Sequence, residues 1–75
     1  MDELVFHIDS YVTSAKEPTL TGLRYYLFKY SDNDYRDKEV LSKLSLYLEW
    51  LIVEERYEEC THVQQIIKEY EITNL

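Results

Sequence analysis

The sequence predicts an all-α protein: a small bundle of three to four helices that ends in an antiparallel helical hairpin. Three observations point there. Apolar residues from Val40 to Val53 recur at three- and four-residue intervals, and a second run of that period spans Cys60 to Tyr70. Between them lies only an acidic joint, Glu54, Glu55, Arg56, Tyr57, Glu58 and Glu59. Two helices joined so tightly must fold back on each other to hide their apolar faces. The alternative is an α+β fold in which residues 3–30 are partly strand.

The first element covers residues 3–14, where Leu4, Ile8, Tyr11 and Val12 keep helical spacing and Asp2 stands at the N-cap. The alternation Leu4, Phe6, Ile8 also suits a strand, and the alternative fold starts here. Lys16 to Pro18 breaks the chain, because the residue before proline avoids the helical region. Thr19 or Thr21 then caps a second helix running to about Tyr30, with Leu20, Leu23, Leu27 and Tyr30 on one face. Gly22 weakens this helix, and Tyr25, Tyr26 and Phe28 favour strand. Ser31 to Asp34 reads as a polar turn.

From Arg36 the helical signal is strong. Leu41, Leu44, Leu48 and Leu51 form one stripe, widened by Val40, Tyr47 and Ile52. Leu46, Trp50 and Val53 form a second stripe on another side. A helix apolar on two sides is either central in its domain or packed on another chain. The last helix carries Cys60, Val63, Ile67 and Tyr70 inward, with Ile66 beside them and Gln64, Gln65, Lys68 and Glu69 outside. The tail from Thr73 to Leu75 is expected to fray. Nothing divides the chain, so residues 1–75 read as one domain.

Seventy-five residues bury only about 60% of their unfolded surface, so a domain this small gains from reinforcement. Cys60 is the single cysteine, which excludes an internal disulfide and fits a reducing compartment. A partner chain therefore gains weight. Acidic Asp2 and Glu3 stand where a signal peptide would be basic, and the weakly charged run Leu44–Val53 is half a membrane span, so a cytoplasmic protein without a membrane partner is expected. The net charge is −7, with the segment from residue 46 to 75 alone contributing seven acids against Arg56 and Lys68. Such a chain repels a phosphate backbone, and direct nucleic-acid binding is not expected. The eight tyrosines supply large rings with polar tips, suited both to a small core and to an interface.

Catalytic groups are sparse. Cys60 and His62 are two residues apart, so on a helix they point about 200° from each other and cannot form a nucleophile–base pair. Cys60 falls on the apolar stripe, where it acts as a small hydrophobe. His62 with Glu58 or Glu59 offers at most a pair of metal ligands, and His7 is remote in sequence. Asp32, Asn33 and Asp34 do not make a calcium loop. Gly22 is the only glycine, so no phosphate-cradling loop exists. No catalytic residue, cofactor or metal is expected.

The hairpin joint carries one more specific signal. Residues 48–71, above all Tyr57-Glu58-Glu59-Cys60-Thr61-His62-Val63-Gln64-Gln65-Ile66-Ile67, resemble the UVR motif, an aromatic, acidic and small-residue run closing with Leu-Arg-Asp-x-Ile. Tyr57 takes the aromatic place, Cys60 and Thr61 the small places, and Val63 and Ile67 the aliphatic ones. Gln64-Gln65 stand where the family has Arg-Asp. The likeness covers about a third of the chain and implies a hairpin used for protein–protein association.

The expected function is therefore a non-catalytic regulator, adaptor or inhibitor that binds a larger protein through Leu46, Trp50, Val53 and Tyr57. Size alone suggests a phage or mobile-element protein. The runner-up is an acidic nucleic-acid mimic presenting Glu54, Glu55, Glu58 and Glu59. A homodimer that buries the second stripe of the long helix is the third expectation.

Overall fold

The computed structural model describes residues 2–30 and 36–73. It is an all-α bundle of four helices: α1 Glu3–Ser14, α2 Leu20–Tyr30, α3 Asp37–Val53 and α4 Tyr57–Thr73. No strand occurs among the described residues, so the α+β alternative falls away. In α1 the spacing of Leu4, Val5, Ile8 and Val12 decides the matter, because all four are buried on one helical face. The expected turn over Ser31–Asp34 lies outside the described residues, as do Asn74 and Leu75.

The helix ends follow their capping chemistry. Asp2 caps α1 by accepting from the Leu4 amide at 2.9 Å. Thr19 rather than Thr21 caps α2, its hydroxyl accepting from Gly22 N at 3.0 Å. Gly22 has a packing reason. A side chain there would strike the Tyr11 ring, whose hydroxyl accepts from Thr19 N at 3.1 Å. Tyr11 thus lies over the first turn of α2, and its ring packs on Tyr26.

Helices α3 and α4 form the expected hairpin, but its joint is three residues, Glu54 to Arg56, rather than six. Tyr57, Glu58 and Glu59 are already the first turn of α4. Here α3 ends in a Schellman turn: Glu55 N donates to Ile52 O at 3.1 Å and Arg56 N to Leu51 O at 2.9 Å. Glu55 takes the left-handed position with φ of 59°.

The core runs through all four helices. Val40, Leu44, Tyr47 and Leu51 are its α3 contribution, and Cys60, Val63 and Ile66 its α4 contribution. Both stripes are rotated from the expected ones. Leu41 and Leu48 are half-buried where the sequence placed them centrally, and Ile66 takes the deep position expected for Ile67. The reason is that α3 packs on both α1 and α4, which moves its buried line toward Val40 and Tyr47. Helix α2 lies against α1 and α4 and reaches the start of α3 through Arg24, which donates to Asp37 at 2.9 Å. Glu69, expected outside, instead turns inward and accepts from Leu20 N at 2.9 Å, capping α2 from α4.

Candidate interaction face

Helix α1 packs on α3 along a side where Asp2, Phe6 and Asp9 succeed each other at i, i+4 and i+7. Asp2 accepts from Lys43 at 3.0 Å, and Asp9 accepts from the Tyr47 hydroxyl at 2.7 Å. On α3, Lys43 is followed by Leu46, Trp50 and Val53 at the matching spacing of three, four and three. The two rows border one outer face.

The sequence-expected residues of this face differ in their exposure. Leu46 is 52% exposed and Val53 78% exposed, while Trp50 is half-buried, so the second stripe of α3 is left largely open by α1. Phe6, 56% exposed, joins the same side and was not foreseen as a face residue. Its signal was its position off the Leu4–Ile8–Val12 stripe. Tyr57 is 63% exposed and belongs to the first turn of α4.

Trp50 is held from two directions. Its ring stacks on Tyr47 at 6.1 Å between centroids, and the Arg56 guanidinium lies over it at 5.3 Å. Arg56 in turn pairs with Asp9 at 3.1 Å and with Glu59 at 3.5 Å. Asp9 thereby ties α1 to α3 and to the joint. Burial is the first cause that pushes the Tyr47 hydroxyl well above the ordinary tyrosine range, and its bond to the Asp9 carboxylate adds to it. Asp2 is pulled below the usual carboxylate range by its bond from Lys43 and then by the Leu4 amide.

The acidic candidates divide. Glu54, Glu55 and Glu58 are exposed at the closed end of the hairpin, whereas Glu59 is half-buried and engaged by Arg56. Nearby, Val12, Thr13, Ala15, Lys16, Glu58, Glu59 and His62 line an open cleft of about 170 Å³ between the end of α1 and the start of α4. That is below the roughly 300 Å³ at which drug-sized ligand pockets begin. Cys60 lies in the core and His62 beside this cleft, so the two do not meet. Among the described residues, no three of His, Cys, Asp and Glu gather as a metal site. None of their helices is long and apolar enough to cross a membrane. No protein-family model, curated protein or solved structure matches the chain.

Proposed function

We propose that this protein is a non-catalytic interaction protein that docks on a larger protein through the outer face of α3, as a regulator, adaptor or inhibitor. One observation carries the reading: Leu46 and Val53 stand exposed beside half-buried Trp50 on a single side of α3, and Phe6 of α1 is exposed as well. An aromatic anchor already fixed by Tyr47 and Arg56 loses little freedom when a partner covers it, so its contacts convert efficiently into affinity. The likeness of residues 48–71 to the UVR motif supports the same class of function, association through a helical hairpin. The lone thiol of Cys60 favours a reducing setting such as the cytoplasm. The rival reading, a nucleic-acid mimic, rests on Glu54, Glu55 and Glu58, since Glu59 is partly neutralised by Arg56.

The test compares the wild type with Leu46→Lys/Val53→Lys as bait, followed by titration of the captured protein in purified form. Trp50 is the only tryptophan, so its emission reports occupancy of the face directly. A stoichiometric partner should bind with a Trp50 signal, change little with salt and lose about 100-fold in affinity to the double variant. A purified partner that binds both forms equally would overturn the proposal. Steep salt dependence with sensitivity to Glu54→Gln/Glu58→Gln would transfer it to the mimic.

A further inference from the structure

We infer that the joint between α3 and α4 is a charge-held hinge: once its carboxylates are screened or neutralised, α3 and α4 join into one helix and two copies of the chain exchange α4. Several features of the joint favour the joined form. Glu54, Glu55 and Arg56 include neither glycine nor proline, and both residue types are good helix formers. Glu55 holds a φ of 59°, a left-handed strain that a continuous helix relieves. In α4 the first intrahelical bond runs from Cys60 N to Arg56 O, so the amides of Tyr57, Glu58 and Glu59 lie ahead of it. A continuous helix offers those amides the carbonyls of Val53, Glu54 and Glu55. The two bonds of the Schellman turn, from Glu55 N and Arg56 N, are replaced one for one.

Joining straightens the hairpin, so α4 no longer reaches its own α3. It reaches the α3 of a second copy instead, and the packing of α4 on α1, α2 and α3 is rebuilt between the chains. Short strained joints invite such an exchange, because the interface it needs already exists within one chain. Charge opposes it. The buried positions Val40, Leu44, Tyr47 and Leu51 are spaced by four, three and four, and the next positions in that rhythm are Glu54 and Glu58. In the joined form both fall where the two joints cross at the two-fold axis, close to the partner's Glu54 and the partner's Glu58. Arg56 adds a latch on the closed turn, since its pair with Asp9 at 3.1 Å ties the joint to α1. The hairpin is thus held shut at low ionic strength by repulsion in the alternative and by one ion pair in the closed form.

The deciding measurement mixes carbon-13-labelled and unlabelled chains, unfolds them in denaturant and refolds them together at millimolar concentration. In about 1 M sodium chloride, where the Debye length is about 3 Å, the wild type should approach a mass of twice 9.1 kDa. Filtered nuclear Overhauser spectra should then place the core side chains of α3 and α4 in contact between chains. In about 0.01 M salt the wild type should stay a monomer. Glu54→Gln/Glu58→Gln should dimerise about tenfold more tightly than the wild type at low salt. Glu55→Gly favours the left-handed turn and disfavours the joined helix in both chains, so it should weaken the dimer about 100-fold. All three glutamates are exposed, so these variants remain folded by circular dichroism. A glutamine variant that stays monomeric at millimolar concentration in about 1 M salt overturns the hinge. So does a dimer whose α3–α4 contacts all lie within one chain, or one that Glu55→Gly leaves intact. Leu46 of the docking face takes no part in the exchange, so Leu46→Lys should dimerise as the wild type does, and failure of the hinge leaves the docking reading standing.

Discussion

At the scale of single residues, Tyr47 and Asp9 matter most. Tyr47 is fully buried, yet its hydroxyl must find a partner, and the Asp9 carboxylate across the α1–α3 contact provides it at 2.7 Å. A hydrogen bond to a charged group is worth roughly 1.5–3 kcal/mol, and Asp9 keeps Arg56 when Tyr47 is removed. Tyr47→Phe should therefore cost about 1.5 kcal/mol, seen as a melting temperature lower by roughly 6–12 °C. The raised folded-state value of Tyr47 adds a pH signature. Because the folded hydroxyl holds its proton more tightly than the unfolded one, its contribution is complete below about pH 10 and is lost as pH climbs above that. Denaturation midpoints between pH 9 and pH 12, taken on wild type and Tyr47→Phe, should reveal an alkaline decline of up to about 1.4 kcal/mol per pH unit that the variant lacks. Equal declines in the two proteins would refute the assignment. None of this was legible in the sequence, where Asp9 only interrupts an apolar run. Its partner is 38 residues away, and a pairing at that distance depends on how α1 is placed against α3.

Elements were far more legible than their rotations. The four helices follow from local signals: apolar spacing, the Asp2 and Thr19 caps, and the break before Pro18. What local signals do not hold is which line of a broadly apolar helix faces inward. The sequence favours the leucine line Leu41–Leu44–Leu48–Leu51, but packing on two neighbours draws Val40 and Tyr47 inward instead. Glu69 illustrates the same limit, since its amide partner Leu20 lies 49 residues earlier. The hairpin joint shows a local conflict that the fold overrides. Glu55 occupies the left-handed position of a Schellman turn, which costs a residue with a side chain about 1 kcal/mol relative to glycine. Its negative charge also sits at the C-terminal end of α3, where the helix dipole is unfavourable to it. Glu55→Gly relieves both, and the greater freedom of glycine in the unfolded chain returns part of the gain. A net stabilisation of about 0.5–1 kcal/mol is expected, measurable as a higher midpoint in urea at unchanged slope. A destabilised variant would mean that the Glu55 side chain makes a contact that outweighs its backbone strain.

For the whole molecule the governing quantity is charge. A net charge of −7 is confined to a body of 31 × 28 × 22 Å. Treated as seven charges about 20 Å apart in water, the excess repels itself by roughly 0.2 kcal/mol per pair, about 4 kcal/mol over all pairs. Opposing this are partly exposed ion pairs such as Arg24–Asp37 and Arg56–Asp9, each worth about 0.2–1 kcal/mol. The two terms respond differently to salt. Ion pairs with atoms 2.9–3.1 Å apart lie well inside the Debye length of about 8 Å at physiological ionic strength, whereas repulsion across the molecule lies well outside it. Salt should therefore remove the repulsion first and leave most of the pairing. The melting temperature at neutral pH should rise as ionic strength increases from about 0.01 M to about 0.15 M, levelling off as the long-range repulsion is screened out. A melting temperature that falls with salt would show that the ion pairs around Asp9 and Arg56 contribute more than the excess charge costs. The acidic surface would then be a structural asset of the fold rather than a burden that it tolerates.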